Sequence, residues 1–266
     1  FLGAIQTFSK IPVLEYFEEN DSVTHFRSTG YPLLLHPFYP DNTLFNFFKK
    51  KSRWKYHTVD NEIPKLGLGW SWDDYNYYYA APKSVFPIYG NSVRGVLDGN
   101  DLKLIPLFNS VKDSSVKNFE RKISENIFKY NHEYWEVKDT IYRPFIPSDS
   151  LFIKLLSDAI KREASFATQK DSFEWKTLYT GNEETVYKGL LRDSDNGIAE
   201  ALLLMIANKN GGTFKTKFAI DSLVSRWNGW LPDKLEWVDG SGVSRYNMLT
   251  PRTLVSVLQK IDQQIS

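Results

Sequence analysis

Residues 190–205 read LLRDSDNGIAEALLLM, an apolar run broken near its front by three small polar side chains, Ser194, Asp195 and Asn196. Leu190, Leu191, Ile198, Leu202, Leu203 and Met205 supply the apolar surface of a buried helix. The polar triplet allows two readings. In the first, Asp193, Ser194 or Asp195 caps the helix, a side-chain oxygen accepting from the free amides of the first turn. In the second, the triplet is half of an active site. A serine and an asparagine two positions apart face one cleft while the residue between them points elsewhere.

The surrounding sequence places this run in a helix-rich C-terminal part. KNGG at 209–212 is a strong helix stop. Downstream, 214–230 carries a further helix, KLEWVDGSG at 234–242 reads as a strand entering a glycine turn, and 250–266 closes the chain as an amphipathic helix capped by Thr250 with Pro251 at its first position. Upstream, 150–164 has helical spacing through Leu151, Ile153, Leu155, Leu156 and Ile160, with a cap at Ser148 or Ser150. A polar stretch, 166–184, lies between these helices.

The earlier part is β-rich. IPVLEYFEE (11–19) and SVTHFRS (22–28) alternate apolar and polar residues about a turn, and 28–42 is a loop dense in Gly, Pro, Asp and Asn. TLFNFFKKK (43–51) has helical spacing and a basic end. Segment 58–110 reads as short strands between turns, 123–137 as strands, and 141–149 as a connector. The predicted division is therefore 1–10, the end of a helix; 11–147, a β-rich region; and 148–266, the helical part.

Composition narrows the function. Lys plus Arg, 33, nearly balance Asp plus Glu, 32, and a net charge of +1 argues against a general nucleic-acid binder. No apolar run approaches the roughly 18 residues of a membrane helix. The first residues lack the basic start and cleavage pattern of a signal peptide, and there is no initiator Met, so the chain is expected to be processed or cut. The absence of Cys excludes disulfides, thiolate nucleophiles and Cys-ligated zinc. The four histidines, His25, His36, His57 and His132, form no close pair in sequence and read as surface or hydrogen-bonded groups; neither a metal nor an organic cofactor is expected. Aromatic residues, 15% of the chain, suit a β-rich core and equally a sugar-binding surface.

A mechanism attaches to the second reading of the triplet. Serine acyl-transfer enzymes bring S-x-x-K, S-D-N and K-T-G into one cleft. The first Ser attacks a carbonyl with help from its Lys. The Ser of S-D-N relays a proton to the leaving amine, and the Asn amide orients a substrate carbonyl.

Wider strings support it. LLRDSDNGIAEALLLMIA and, about forty residues on, VDGSGVSRYNMLTP together resemble the class C low-molecular-mass penicillin-binding proteins, the D-alanyl-D-alanine carboxypeptidase and endopeptidase family called peptidase family S13. The resemblance rests on Arg192, Ser194, Asn196, Ala199 and Glu200, then on Asp239 to Asn247, with Val243 where the family has Leu. Gly30, Pro32 and Leu34 resemble the family's G-x-P-x-L turn, and GWSWDD at 69–74 its G-W-x-W-D-D segment.

The resemblance implies a multi-domain α+β protein: the helical part of a penicillin-recognising (β-lactamase/transpeptidase-like) domain, with inserted β-rich domains. It implies a serine-type peptidase working through an acyl-enzyme on peptidoglycan stem peptides, inhibited by β-lactams and located in the periplasm or cell envelope. Ser194 is then the proton relay and Asn196 the substrate-orienting amide, with Asp239 and Ser241 as substrate-binding candidates.

Two motifs do not match. The S-x-x-K patterns at Ser52–Lys55 and Ser114–Lys117 begin no convincing apolar helix, and K-T-G is replaced by KTL at Lys176 and KTK at Lys215. The sequence is expected to be the central part of such a protein, FLGAIQTF being the tail of the nucleophile helix; alternatively it is a non-catalytic relative that keeps affinity for cell-wall glycan or peptide. Three weaker features have bland readings. WSWDDYNYYY packs a small β domain rather than stacking on sugars. Asp73 and Asp74 are a poor acid–base pair, since neighbours on a strand face opposite sides. KKKSRWK at 49–55 is a solvated basic helix end.

Overall fold

The computed structural model describes residues 1–59, 63–135, 140–168 and 173–265. A short helix, α1 (Leu2–Thr7), leads into the hairpin β1 (Pro12–Glu18) and β2 (Val23–Ser28). Asn20 makes the turn, its side-chain oxygen accepting from the amides of Ser22 and Val23 at 2.9 Å each. Next come α2 (Asn42–Phe48), capped by Asp41, and β3 (Arg53–Tyr56), parallel to β2. Three 3₁₀ turns follow, at Trp72–Asn76, Tyr78–Ala80 and Tyr89–Asn91.

The middle of the chain forms two small sheets. β4 (Ser92–Asp98) pairs with β5 (Asp101–Ile105), and β6 (Asn109–Lys112), β7 (Phe119–Arg121) and β8 (Ile127–Tyr130) form the second, ordered β6-β8-β7. β9 (Thr140–Pro144) completes the first on the other side of β4. α3 (Asp149–Ile160) then starts at a Ser148 cap that accepts from Leu151 N at 3.2 Å. β10 (Glu163–Phe166) pairs with β3 and β11 (Lys176–Tyr179) with β1, completing a five-stranded sheet ordered β10-β3-β2-β1-β11. This sheet takes strands from both sides of residue 148.

The last part is helical: α4 (Glu183–Leu191), α5 (Asn196–Gly211), α6 (Thr216–Trp227) and α7 (Pro251–Ile265). Every residue of α5 from Ile198 to Ala207 is buried, as befits a helix apolar on all sides. It ends at Gly212 in the left-handed conformation, as the KNGG stop predicts. α6 buries Ala219, Ile220, Leu223 and Trp227. α7 begins as expected, with Thr253 N donating to Thr250 Oγ1 at 3.2 Å, yet leaves Leu254, Val255 and Leu258 exposed.

The architecture is the mixed α+β one expected, with local departures. Residues 72–76 are a 3₁₀ turn rather than a strand, so Asp73 and Asp74 sit in its first turn and not on opposite faces of a sheet. The expected connector 141–149 contains β9, since Ile141 and Tyr142 find ladder partners on β4. The expected strand at 234–242 shrinks to one bridge, Glu236 with Met248, because the glycine-rich loop takes over at Asp239. The apolar run 190–205, read as the surface of one buried helix, is split between two: Leu190 and Leu191 end α4, and Asn196 begins α5. Of the strand expected over 123–137, Ile127–Tyr130 is extended, His132–Tyr134 is a 3₁₀ turn, and 136–137 lie outside the described residues, as does Ser266 of the last helix.

Candidate active site

The loop at 239–247 organises itself around one buried carboxylate. Asp239 Oδ1 accepts from Gly242 N at 2.9 Å and Asn247 Nδ2 at 2.7 Å. Its Oδ2 accepts from Ser244 N at 2.6 Å and Trp70 Nε1 at 2.9 Å. Four donors offset the desolvation of a group only 1% exposed. The indole belongs to the GWSWDD segment, so two strings far apart in sequence meet here. Ser244 Oγ strengthens the joint by donating to Leu68 O at 2.6 Å.

The same loop lies on the backbone of α5. A Cβ on Gly240 would stand 2.5 Å from Ala199 O, so no larger residue fits without moving one of the two. Glu200, one residue further along α5, receives the loop: Oε1 accepts from Gly240 N at 2.8 Å, Ser241 N at 2.9 Å and Ser241 Oγ at 2.7 Å. Oε2 faces Lys83 Nζ at 3.5 Å, both side chains being buried. The hydroxyl of Ser241 and the carboxylate of Asp239 are thus both engaged inside the protein.

Asp195 answers the opening ambiguity of the triplet. Its Oδ1 accepts from Ile198 N at 2.9 Å and caps α5. Its Oδ2 accepts from the Tyr78 hydroxyl at 2.5 Å. Because the middle residue does the capping, Ser194 and Asn196 are released from it. Ser194 has φ +53°, a left-handed conformation uncommon outside glycine, and is exposed; its hydroxyl makes no hydrogen bond to a described residue. Asn196 is partly exposed and gives one amide hydrogen to Tyr79 O at 2.8 Å, leaving the other free.

The aromatic segment has a split character. Trp70 is buried and Tyr78 half-buried, holding Asp239 and Asp195 respectively. Trp72, Tyr77 and Tyr79 are exposed, and the rings of the last two stack at 5.5 Å. Packing therefore accounts for part of the segment only. His36, buried beside Tyr78, has its pKa lowered to about 4 by burial, with nearby Asp195 opposing the shift. His25 and His57, distant in sequence, touch at 2.8 Å, and His25 also meets Glu19 at 2.9 Å. Among the described residues no group of three metal-ligating side chains is placed to hold an ion.

Sequence reading brought Ser194, Asn196, Asp239 and Ser241 forward, and the structure gathers the segments that carry them around the N-terminal half of α5. It missed Tyr78, Lys83 and His36, whose only signal was membership of the strings GYPLLLHP and WSWDDYNYYYAAPK. Neither chance S-x-x-K pattern starts a helix: Ser52–Lys55 runs into β3, and Ser114–Lys117 follows β6 in a turn.

Comparison with known proteins bears on these segments directly. The model of the D-Ala-D-Ala carboxypeptidase 3 (S13) family matches residues 184–266, which contain the triplet, α5 and the 239–247 loop. Across 228 residues the chain is 23% identical to D-alanyl-D-alanine carboxypeptidase DacB of Haemophilus influenzae, covering 73% of this chain and 47% of that protein. It thus spans about half the length of the curated relative it matches. The fold agrees over nearly its whole length with crystal structures of penicillin binding protein 4 (dacB) from the same organism. One superposes with a TM-score of 0.69 at 17% identity, covering 98% of this chain and 68% of the other. A second, complexed with a β-lactam, gives 0.64 at 15% identity, covering 98% and 66%. The matched segment and the preceding strands and turns together therefore share the fold of penicillin binding protein 4 (dacB).

Proposed function

We propose that this chain forms one wall of the cleft of a serine-type D-alanyl-D-alanine carboxypeptidase or endopeptidase acting on peptidoglycan stem peptides through an acyl-enzyme. The observation that carries the reading is the triplet: Asp195 caps α5, so an exposed left-handed serine and a partly free asparagine amide stand side by side within the S13 segment. Ser194 relays a proton to the leaving amine, and the Asn196 amide orients the substrate carbonyl. Asp239 and Ser241 act on substrate indirectly, by shaping the 239–247 loop beside it. In the division of the chain, 1–10 ends a helix of the transpeptidase-like domain, 11–147 is the inserted β-rich region, and 148–266 supplies the helical part. The place of action is the cell envelope, on the periplasmic side; no helix among the described residues is long and apolar enough to cross a membrane.

The test uses the polypeptide that the complete gene encodes. D-Alanine release from a peptide ending in D-Ala-D-Ala is measured for the wild type, Ser194→Ala and Asn196→Ala. Each substitution is expected to lower kcat/KM by roughly 10²–10³ while the thermal midpoint stays within a few degrees. Binding of the peptide without release of D-alanine would favour the non-catalytic cell-wall-binding reading instead.

A further inference from the structure

The second oxygen of Asp195 has no part in capping. A helix N-cap needs one acceptor, and Oδ1 serves as that acceptor for Ile198 N. Oδ2 is taken by Tyr78, whose phenol sits between two groups: 2.5 Å from Asp195 Oδ2 and 3.3 Å from His36 Nε2. His36 Nδ1 accepts from Phe38 N at 3.3 Å, which puts the ring proton on Nε2. The hydrogen bonds then run in one direction: His36 Nε2–H to the Tyr78 oxygen, and Tyr78 O–H to Asp195. Asn196, on the other side of Asp195, is held by the backbone oxygen of Tyr79. Both residues that follow Ser194 are therefore fastened to the Tyr78–Tyr79 turn. The backbone on either side of Ser194 is tied to the end of α4, Asp193 N donating to Lys188 O at 3.4 Å and Asp195 N to Gly189 O at 2.9 Å; Ser194 itself makes no hydrogen bond to a described residue, yet it holds a backbone conformation that a residue with a Cβ rarely adopts, and such conformations persist only where the surroundings impose them.

We propose that Tyr78 is a positioning residue for the S-D-N turn: its hydroxyl, gripped between His36 and Asp195, holds Ser194 in the left-handed conformation that presents its hydroxyl for proton relay. The proposal rests on the acyl-transfer reading above and assigns that site a support no motif reveals. Tyr78 touches neither substrate nor reacting atoms and acts through Asp195.

The experiment is a double-mutant cycle in the polypeptide that the complete gene encodes, with Tyr78→Phe, Ser194→Ala and the pair. Tyr78→Phe keeps the ring and removes only the hydroxyl. The expected result is a fall in kcat on the order of ten- to a hundredfold with KM little changed, and no further loss when Tyr78→Phe is added to Ser194→Ala. A plain loss of fold would instead act equally in both backgrounds, which would overturn the proposal, as would a Tyr78→Phe enzyme with wild-type kcat. A second readout needs no reaction: the backbone coupling and carbon shifts of Ser194 by NMR. These lose their left-handed signature in Tyr78→Phe if the clamp is as described, and retention of that signature would contradict it. A wild type that forms no acyl-enzyme would sink the acyl-transfer reading, and with it the positioning role given to Tyr78 in that reaction. The Ser194 signals distinguish that failure from a misread clamp.

Discussion

Asp239 is a carboxylate with four donors and 1% exposure, and no water is needed to satisfy it. Removing it leaves Trp70 Nε1, two backbone amides and the Asn247 amide facing an apolar hole. Asp239→Ala is therefore expected to cost about 3 kcal/mol in urea unfolding, beyond the range of a surface change. Little or no shift of the midpoint would show that the loop is held by something else. His36 gives a prediction with a definite sign. Burial lowers its folded-state pKa to about 4 from an ordinary 6.5, so between these values the unfolded chain binds more protons than the folded one. Stability is thus retained above pH 6.5 and falls as pH drops toward 4, by on the order of 2–3 kcal/mol from this one group. The stability–pH curve of His36→Gln is expected to be flatter over that window; an unchanged slope would assign the loss to other groups. At this scale the sequence was legible where residues act within their own segment. The Asp195 cap and the Asp239 turn could be read from their strings, whereas Tyr78 and His36 meet partners over forty residues away, and nothing in a string marks such a partner.

Among the elements, α5 is the frame of the candidate site: it is buried from Ile198 to Ala207, and the 239–247 loop and Lys83 pack on it. Its apolar run and KNGG stop announced it plainly, and the Thr250–Pro251 start announced α7 equally well. The split between α4 and α5 was hidden, since Leu190 and Leu191 continue the apolar run while the chain turns at 192–195. The aromatic segment also misled: Trp and Tyr favour strands, but the turn at 72–76 is fixed by what Trp70 and Tyr78 reach across to, a tertiary demand that overrides propensity. Between elements, the Lys83–Glu200 pair ties the segment after the aromatic turns to α5 and, through Oε1, to the 239–247 loop. Lys83→Ala leaves Glu200 as an uncompensated buried charge and is expected to destabilise by roughly 3–5 kcal/mol. Its effect is expected to add less than fully to that of Asp239→Ala, since both anchor one loop. Full additivity in denaturant titrations would argue that loop and pair are independent.

For the molecule as a whole, the α+β class and the order of β-rich then helical segments were readable from periodicity and punctuation. The five-stranded sheet was not, because it joins β1, β2 and β3 to β10 and β11 across more than a hundred residues, and strand pairing at that distance leaves no local trace. On the proposed acyl-transfer reading, the residues around α5 form one wall of a cleft whose other wall bears the nucleophile. The most direct measurement is the intact mass of the polypeptide that the complete gene encodes, before and after exposure to benzylpenicillin. The account predicts a mass increase of one penicillin molecule per chain, with Ser194→Ala slowing the formation or turnover of that adduct. A protein that stays at its starting mass under the same exposure would contradict it, and would leave the S-D-N turn as a helix start with no chemistry to serve.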